Sequence, residues 1–310
     1  MTKNEIVKQV FCRECDLKNL NLKECIFAYQ SAEKFSNDFG EELNNLKLEM
    51  LKYMEDIKKE IISKINKLDV IYVIQYKYTR LPYMEQNEGF RLWVFDDKES
   101  ARKCVNYYKS KNLELEIISV LKSEYHRFLK DMNYFGFNKI LVNNGLCYIE
   151  LDFEDFVELE KSSVINRTFM KAYLDFIQSY KQNLSSQSVI TAKENKLLNS
   201  LLSAQFLLPV TFEGEIINHT VQKDAELHFP LLINSNEENI QPVFTDWKEF
   251  RKWDKDCKYK GFLVNFESLY GIFKKNQKTK MSINPFSIDF ILNENNFKLL
   301  EERKIKNGRK

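Results

Sequence analysis

The longest regular pattern in this chain is an apolar stripe. Phe35, Phe39, Leu43, Leu46, Met50, Met54, Ile57, Ile61, Ile65 and Leu68 follow one another at steps of four, four and three residues. Nine steps cover 33 residues, a period of 3.67, so the stripe keeps to one face of a nearly straight helix. Six acids and six bases between Glu41 and Lys67 take the other faces, at spacings that allow Glu–Lys pairs. Gly40 interrupts the pattern and marks a start or a kink. The stripe predicts a long amphipathic helix over 31–67, preceded by a segment of residues 1–30. Its apolar face packs on the domain that follows or meets a second copy, as a homodimer through the 35–68 helix.

The period then shortens towards two. Val70–Tyr76 reads as a β-branched and aromatic strand, and a loop with Pro82 and Gly89 leads to a second strand at Phe90–Phe95. Asp96 and Asp97 can cap a helix whose inner face is Ala101, Cys104, Val105 and Tyr108. A strand at Leu115–Val120 and a helix at Ser123–Met132 come next. Strands at Lys139–Val142 and Leu146–Leu151 and a closing helix at Phe153–Glu160 complete a domain over 68–162, with Ser123 and Asp152 placed as caps. A linking helix and linker occupy 163–190, ended by the Ser/Gln stretch at Leu184–Ser188.

A second domain spans 191–303. It opens with a helix at Ala192–Ser203 and a strand at Gln205–Phe212 whose Pro209 predicts a sheet edge or a bulge. A polar insertion at 213–226 precedes a strand at Leu227–Ile233. Gln241–Phe244 then runs into a helix capped by Thr245 or Asp246. Residues 304–310 form a basic tail.

Residues 91–160 are written again, more loosely, at 240–301. Phe95 matches Phe244, Ser123 matches Ser268 and Asn143 matches Asn284, and the offset falls from 149 to 145 to 141. Length has been lost between elements and not within them, which is how a duplicated domain diverges. The expected fold class is α+β: two tandem domains, each a mixed β-sheet covered by helices, plus the long N-terminal helix.

Three segments of the second domain carry a family resemblance: the lead strand FLLPV at 206–210, PVFTDWKEFRKW at 242–253 and SINPFSIDFILNENNFKLL at 282–300. In this order they resemble the N-terminal domain of the SseB (enhanced serine sensitivity protein B) family of bacteria. The first domain looks like a diverged copy, keeping VFDD at 94–97 but having Asn143-Asn144 where the family has Asn-Pro. The resemblance implies a scaffold and no known catalysis. Phe95 and Phe244 end a strand, Asp97 and Asp246 cap a helix, and Asn143, Asn284 and Pro285 make turns; all seven are read as structural.

Composition narrows the function further. With 47 basic against 45 acidic residues, the net charge of +2 gives no general attraction to nucleic acid, and Lys274, Lys275, Lys278 and Lys280 form only a small basic loop. No run of about 18 apolar residues predicts a membrane span, and no signal-peptide core is read at the start. Six scattered cysteines suggest reduced thiols in a cytoplasmic protein, and abundant Lys, Asn and Ile with scarce Gly and Pro suggest an AT-rich bacterial source. Eight isolated glycines leave no GxGxxG and no Walker loop. His126, His219 and His228 lie in no triad pattern. The acids Glu150, Asp152, Glu154, Asp155, Glu158 and Glu160 alternate with apolar residues as an amphipathic surface does.

One spacing points to a metal. Cys12, Cys15 and Cys25 offer three thiols to zinc, with Asp16 or the distant Cys104 needed as the fourth ligand. Apart from that zinc possibility no cofactor is expected. The chain is therefore read as a non-enzymatic, protein-binding scaffold of the SseB type. The alternative is a small-molecule- or metal-responsive regulator with its ligand between the repeats.

Overall fold

The structure, a computed structural model, describes residues 1–83, 91–145, 147–158, 164, 166–183, 185–213, 216–217, 220–221, 226–233, 236–276 and 279–308. Gly89, Phe90, Leu146, Glu160, Leu184, His219 and Lys278 lie outside them. The chain forms two compact units. One is Met1–Leu159 with Ile177–Ser185, the other Glu160–Phe176 with Ser186–Lys310.

The first unit begins with helices α1 (Lys3–Cys12), α2 (Leu22–Asp38) and α3 (Asn44–Lys67). Capping boxes start the first two, Thr2 with Glu5 and Asn21 with Glu24. The stripe expected to run along one helix is divided. Phe39 and Gly40 are extended, and a 3-10 turn at Glu41–Leu43 leads into α3. The local cause is Ser36-Asn37-Asp38, whose short polar side chains compete for backbone bonds at a helix end. Helices α2 and α3 then pack on each other, and the residues that α2 buries are Leu22, Cys25, Ile26, Ala28, Ala32 and Ser36, not Phe35 of the stripe. Met50, Met54, Ile57, Ile61 and Ile65 are buried as the stripe requires, whereas Leu43 and Leu46 remain exposed.

The sheet of this unit contains β1 (Val70–Tyr76), β2 (Arg91–Phe95), β3 (Leu115–Leu121), β4 (Lys139–Val142) and β5 (Ile149–Asp152). Helix α4 (Lys98–Lys109) follows β2, and α5 (Tyr125–Tyr134) follows β3. The strand order is β3-β1-β2-β4-β5. Strands β2 and β4 run parallel, and the other neighbours are antiparallel. Alternation sends Ile74, Tyr76, Trp93, Phe95 and Leu141 to the face under α4, where they meet Ala101 and Tyr108. On the other face Ile71, Val94 and Ile140 line a small space with Ile65 of α3 and Leu129 of α5. Two expectations need correction. The helix expected at Phe153–Glu160 is a 3-10 turn at Phe153–Asp155, capped as foreseen by Asp152. Ser123 lies inside a 3-10 turn and caps nothing.

Helix α6 (Arg167–Gln182) contains the division between the units. The second unit continues with α7 (Gln187–Leu201) and β6 (Gln205–Glu213). Short strands β7 (Ile216–Ile217) and β8 (Thr220–Val221) form a hairpin within the polar insertion, followed by β9 (Glu226–His228) and β10 (Leu232–Ile233). Then come β11 (Asn239–Val243), α8 (Trp247–Trp253), β12 (Lys260–Asn265) and α9 (Phe266–Lys275). Strands β13 (Lys280–Ile283) and β14 (Phe290–Leu292) and helix α10 (Glu294–Gly308) close the unit.

Two ladders, β12-β6-β9 and β10-β11-β13-β14, meet at an antiparallel bridge between Leu207 and Phe244. Through that bridge the series β12-β6-β11-β13-β14 has the order and directions of β3-β1-β2-β4-β5, again with one parallel pair, β11 with β13. Pro209 does not mark a sheet edge, since β6 is central in its ladder. It lies between the Leu207 bridge and the pairing of Thr211 with His228. The amide of Leu207 donates to Phe244, and the backbone two residues on faces the same way. Proline's missing N–H thus falls in the gap where neither neighbour pairs.

Candidate functional site

The same construction recurs at the end of the parallel pair in each unit. In the first, β2 ends at Phe95 and the Asp97 carboxylate accepts the Ser100 amide at 2.7 Å, capping α4. In the second, β11 runs into Phe244, and Asp246 accepts the Glu249 amide at 2.9 Å to cap α8. Beside each cap stands an asparagine in left-handed backbone, Asn143 at φ 56° and Asn284 at φ 51°. Each donates its amide N–H to the carbonyl of the facing strand, Val94 or Val243, at 2.8 Å. Each side-chain oxygen accepts the N–H just beyond the strand, from Asp96 at 3.1 Å and from Thr245 at 2.9 Å. The turn asparagine therefore ties β4 to β2, or β13 to β11. Around Asn284-Pro285 the turn is closed by backbone, with the amides of Ser287 and Asp289 both donating to the Asn284 carbonyl.

The two copies of this site differ in how they are finished. In the second unit Asn284 Nδ2 donates to Thr245 Oγ1 at 2.8 Å, and that hydroxyl donates to Asp246 at 2.7 Å. Ser287 donates to the Glu249 carboxylate at 2.6 Å. Asn166 donates to the carbonyls of Gln205 and Thr245 and accepts the Gln205 amide. The aromatic rings of Phe250, Trp253 and Tyr259 pack beside Phe244 and Leu207. Burial raises the pKa of Asp246, and the Glu249 amide and Thr245 hydroxyl oppose the shift. This copy is closed.

The first copy is open. Ala101 and Cys104 occupy the helix positions that Phe250 and Trp253 hold in the other unit. A cavity of about 560 Å³ lies there, lined by Lys23 of α2, Trp93 of β2, Cys104 and Tyr108 of α4, and the Asn143–Gly145 turn. Three buried polar atoms next to it, Trp93 Nε1, Asn143 Nδ2 and Asp96 Oδ1, make no hydrogen bond of regular geometry among the described residues, although the Asn143 side chain acts on the Asp96 carboxylate. Lys23 donates to Asp97 at 2.5 Å and to Ser100 at 3.3 Å, and lies 3.9 Å from Asp96.

Burial drives the Asp96 carboxyl upward against the pull of Lys23. Asp97 moves the other way: burial opposes it, but Lys23, the Ser100 amide and the Ser100 hydroxyl outweigh that and hold it below the usual carboxylate range. Burial pushes the Cys104 thiol up to about 12 and raises Cys147, so neither is a thiolate nucleophile near neutral pH.

The other candidate residues are accounted for singly. Cys12 is exposed, while Cys15 and Cys25 are buried, with Cys25 pushed up to about 12 by burial. Among the described residues no three His, Cys, Asp or Glu side chains gather to hold a metal ion. Glu150 pairs with Lys139 at 2.7 Å and Arg91 at 3.4 Å, and Asp155 pairs with Lys58 at 3.0 Å. Lys274 pairs with Glu301 at 3.2 Å and Lys280 with Glu238 at 2.6 Å. His126 and His228 are exposed. The residues that sequence reasoning passed over are Lys23 and Trp93, while Cys104 and Tyr108 were read only as the inner face of a helix, with Cys104 as a possible zinc ligand. The signal available was the exchange of small for large residues when α4 is aligned with α8.

Strand order, cap and turn define an α+β domain, and residues 184–292 match the family model of the SseB protein N-terminal domain. The first sheet lies outside the matched residues. No curated protein matches the chain. A solved structure, Tic22 from Plasmodium falciparum, is similar over 79% of this chain and 98% of its own at 16% identity; its TM-score of 0.17 is too low to carry an argument. Among the described residues no helix is long and apolar enough to cross a membrane.

Proposed function

We propose that the chain is a non-enzymatic binding protein, built from two copies of one SseB-type domain, that meets a protein partner through its N-terminal helices. The observation that carries this reading is the exposure of large apolar side chains at one end of the helical pair. Leu43, Leu46, Leu48 and Leu51 are 37–57% exposed over the first turns of α3. Phe11 is also exposed, in edge contact with Phe35 near the end of α2. Apolar groups concentrated in this way on a soluble surface mark contact sites more often than scattered ones do. The second unit's closed polar network and the raised thiols of the first support recognition over covalent chemistry.

Affinity capture from the native host, followed by mass spectrometry, compares the wild type with a variant carrying Leu46→Lys, Leu48→Lys and Leu51→Lys. Light scattering is run on both. A partner held by the wild type and lost by the folded variant supports the reading. A wild-type dimer that becomes monomeric in the variant makes that partner a second copy. Identical captured proteins and identical mass in the two overturn it.

A further inference from the structure

We propose that the cavity of the first unit binds a small aromatic carboxylate, a role independent of the protein-partner surface. Its volume of about 560 Å³ falls in the range of small-molecule sites, roughly 300–1,000 Å³. Trp93, Tyr107 and Tyr108 supply aromatic walls, with Trp93 and Tyr108 in edge contact at 5.4 Å. A flat apolar body suits such walls. The polar part follows from the charges. Among the described residues Lys23 and Lys103 line the cavity and no Asp or Glu does, Asp96 lying next to it.

Lys23 is already engaged by Asp97 at 2.5 Å and faces Asp96 at 3.9 Å. Among the described residues Lys103 pairs with the exposed Glu99 alone, at 3.9 Å, and is the cation left for an incoming acid. Trp93 is 0% exposed, yet its Nε1 finds no hydrogen-bond partner among the described residues, and Asn143, 7% exposed, has the Asp96 carboxylate beside its side chain. Buried donors of this kind are costly unless an acceptor reaches them. A carboxylate brings two acceptor oxygens and a charge opposite to Lys103. Comparison with the other unit strengthens the inference. There Asn284 Nδ2 has Thr245 Oγ1, and Phe250 and Trp253 fill the corresponding space. The first unit places Asp96 where the second has Thr245, leaves Trp93 Nε1 unmatched and lacks the large rings.

The test uses the full chain and three probes of one shape, 2-naphthoate, 2-naphthamide and 2-naphthylmethylammonium. The reporter is the indole N–H resonance of Trp93 in a nitrogen–proton spectrum. Naphthoate is expected to shift it saturably and to bind about tenfold more tightly than the amide, with the ammonium weakest. Lys103→Gln should weaken naphthoate severalfold and leave the amide unchanged. Cys104→Trp, which installs the second unit's ring, should abolish binding of all three; if it does not fold, Lys103→Gln still decides. No shift from any probe overturns the cavity as a site. Equal binding of acid and amide, or tighter binding of the ammonium, overturns the carboxylate class alone.

Discussion

Asn143 and Asn284 hold the same left-handed backbone and bond the same neighbours, yet Asn284 Nδ2 donates to the Thr245 hydroxyl whereas Asn143 meets Asp96 at that position. Their role as turn residues was legible from residue type and repeat register. What the side chains do was not, because the bond crosses to a strand end 39 residues away in the second unit and 47 in the first. Asp97 and Asp246 were legible as caps for the opposite reason, since a cap acts three residues along the chain. Asp97 also carries a pH signature. Its carboxyl is held below the usual range, so its stabilisation is full above about pH 4 and is lost as pH falls through the folded-state value. Asp96, raised by burial, has the opposite sign and weakens the fold as pH rises through its window. Asp97→Ala should cost about 1 kcal/mol at pH 7. In urea unfolding the gap between variant and wild type should narrow towards pH 3; a gap that stays constant or widens contradicts the assignment.

Elements were read from the sequence wherever the apolar period matched local needs, and misread where a distant partner set the boundary. The strands β1, β3, β4 and β6 stand close to where alternation placed them. The N-terminal helix is shorter than the stripe suggested because α2 buries Ala28, Ala32 and Ser36 in place of Phe35, so the apolar spacing from Phe35 to Leu46 marks no buried face and only that from Met50 onward does. Pro209 pointed to an edge because a sequence cannot show that its ladder has a gap on one side. Packing between β12 and α8 depends on a similar detail. A Cβ at Gly261 would lie 2.6 Å from the Trp247 ring. Gly261→Ala should therefore destabilise by about 1 kcal/mol, and Trp247→Ala in the same chain should remove most of that penalty. Chemical unfolding of the four proteins of this double-mutant cycle gives the coupling; strictly additive costs would contradict the contact.

At the scale of the whole molecule, the α+β class followed from the mix of strand and helix patterns, while the strand order shared by the two units was seen only in the structure. The difference between an open and a closed copy did not, since it lies in side-chain volume and not in periodicity. All six cysteines are free thiols, with Cys12 and Cys257 exposed. Unfolded protein prepared without reductant should titrate as six thiols, and the native protein should react first at those two. A lower total, or an unfolding midpoint that moves with reductant, would show a disulfide instead. Helix α6 has a further consequence for anyone dividing the chain. Read as a connector, residues 163–190 look dispensable to both domains. Yet Asn166 secures the strand end at Gln205 and Thr245 in one unit, while Gln178 donates to the Pro82 carbonyl in the other. Fragments cut at the borders of the repeats would each discard a component of their own interior, so the duplicated text and the smallest self-sufficient pieces of this chain do not coincide.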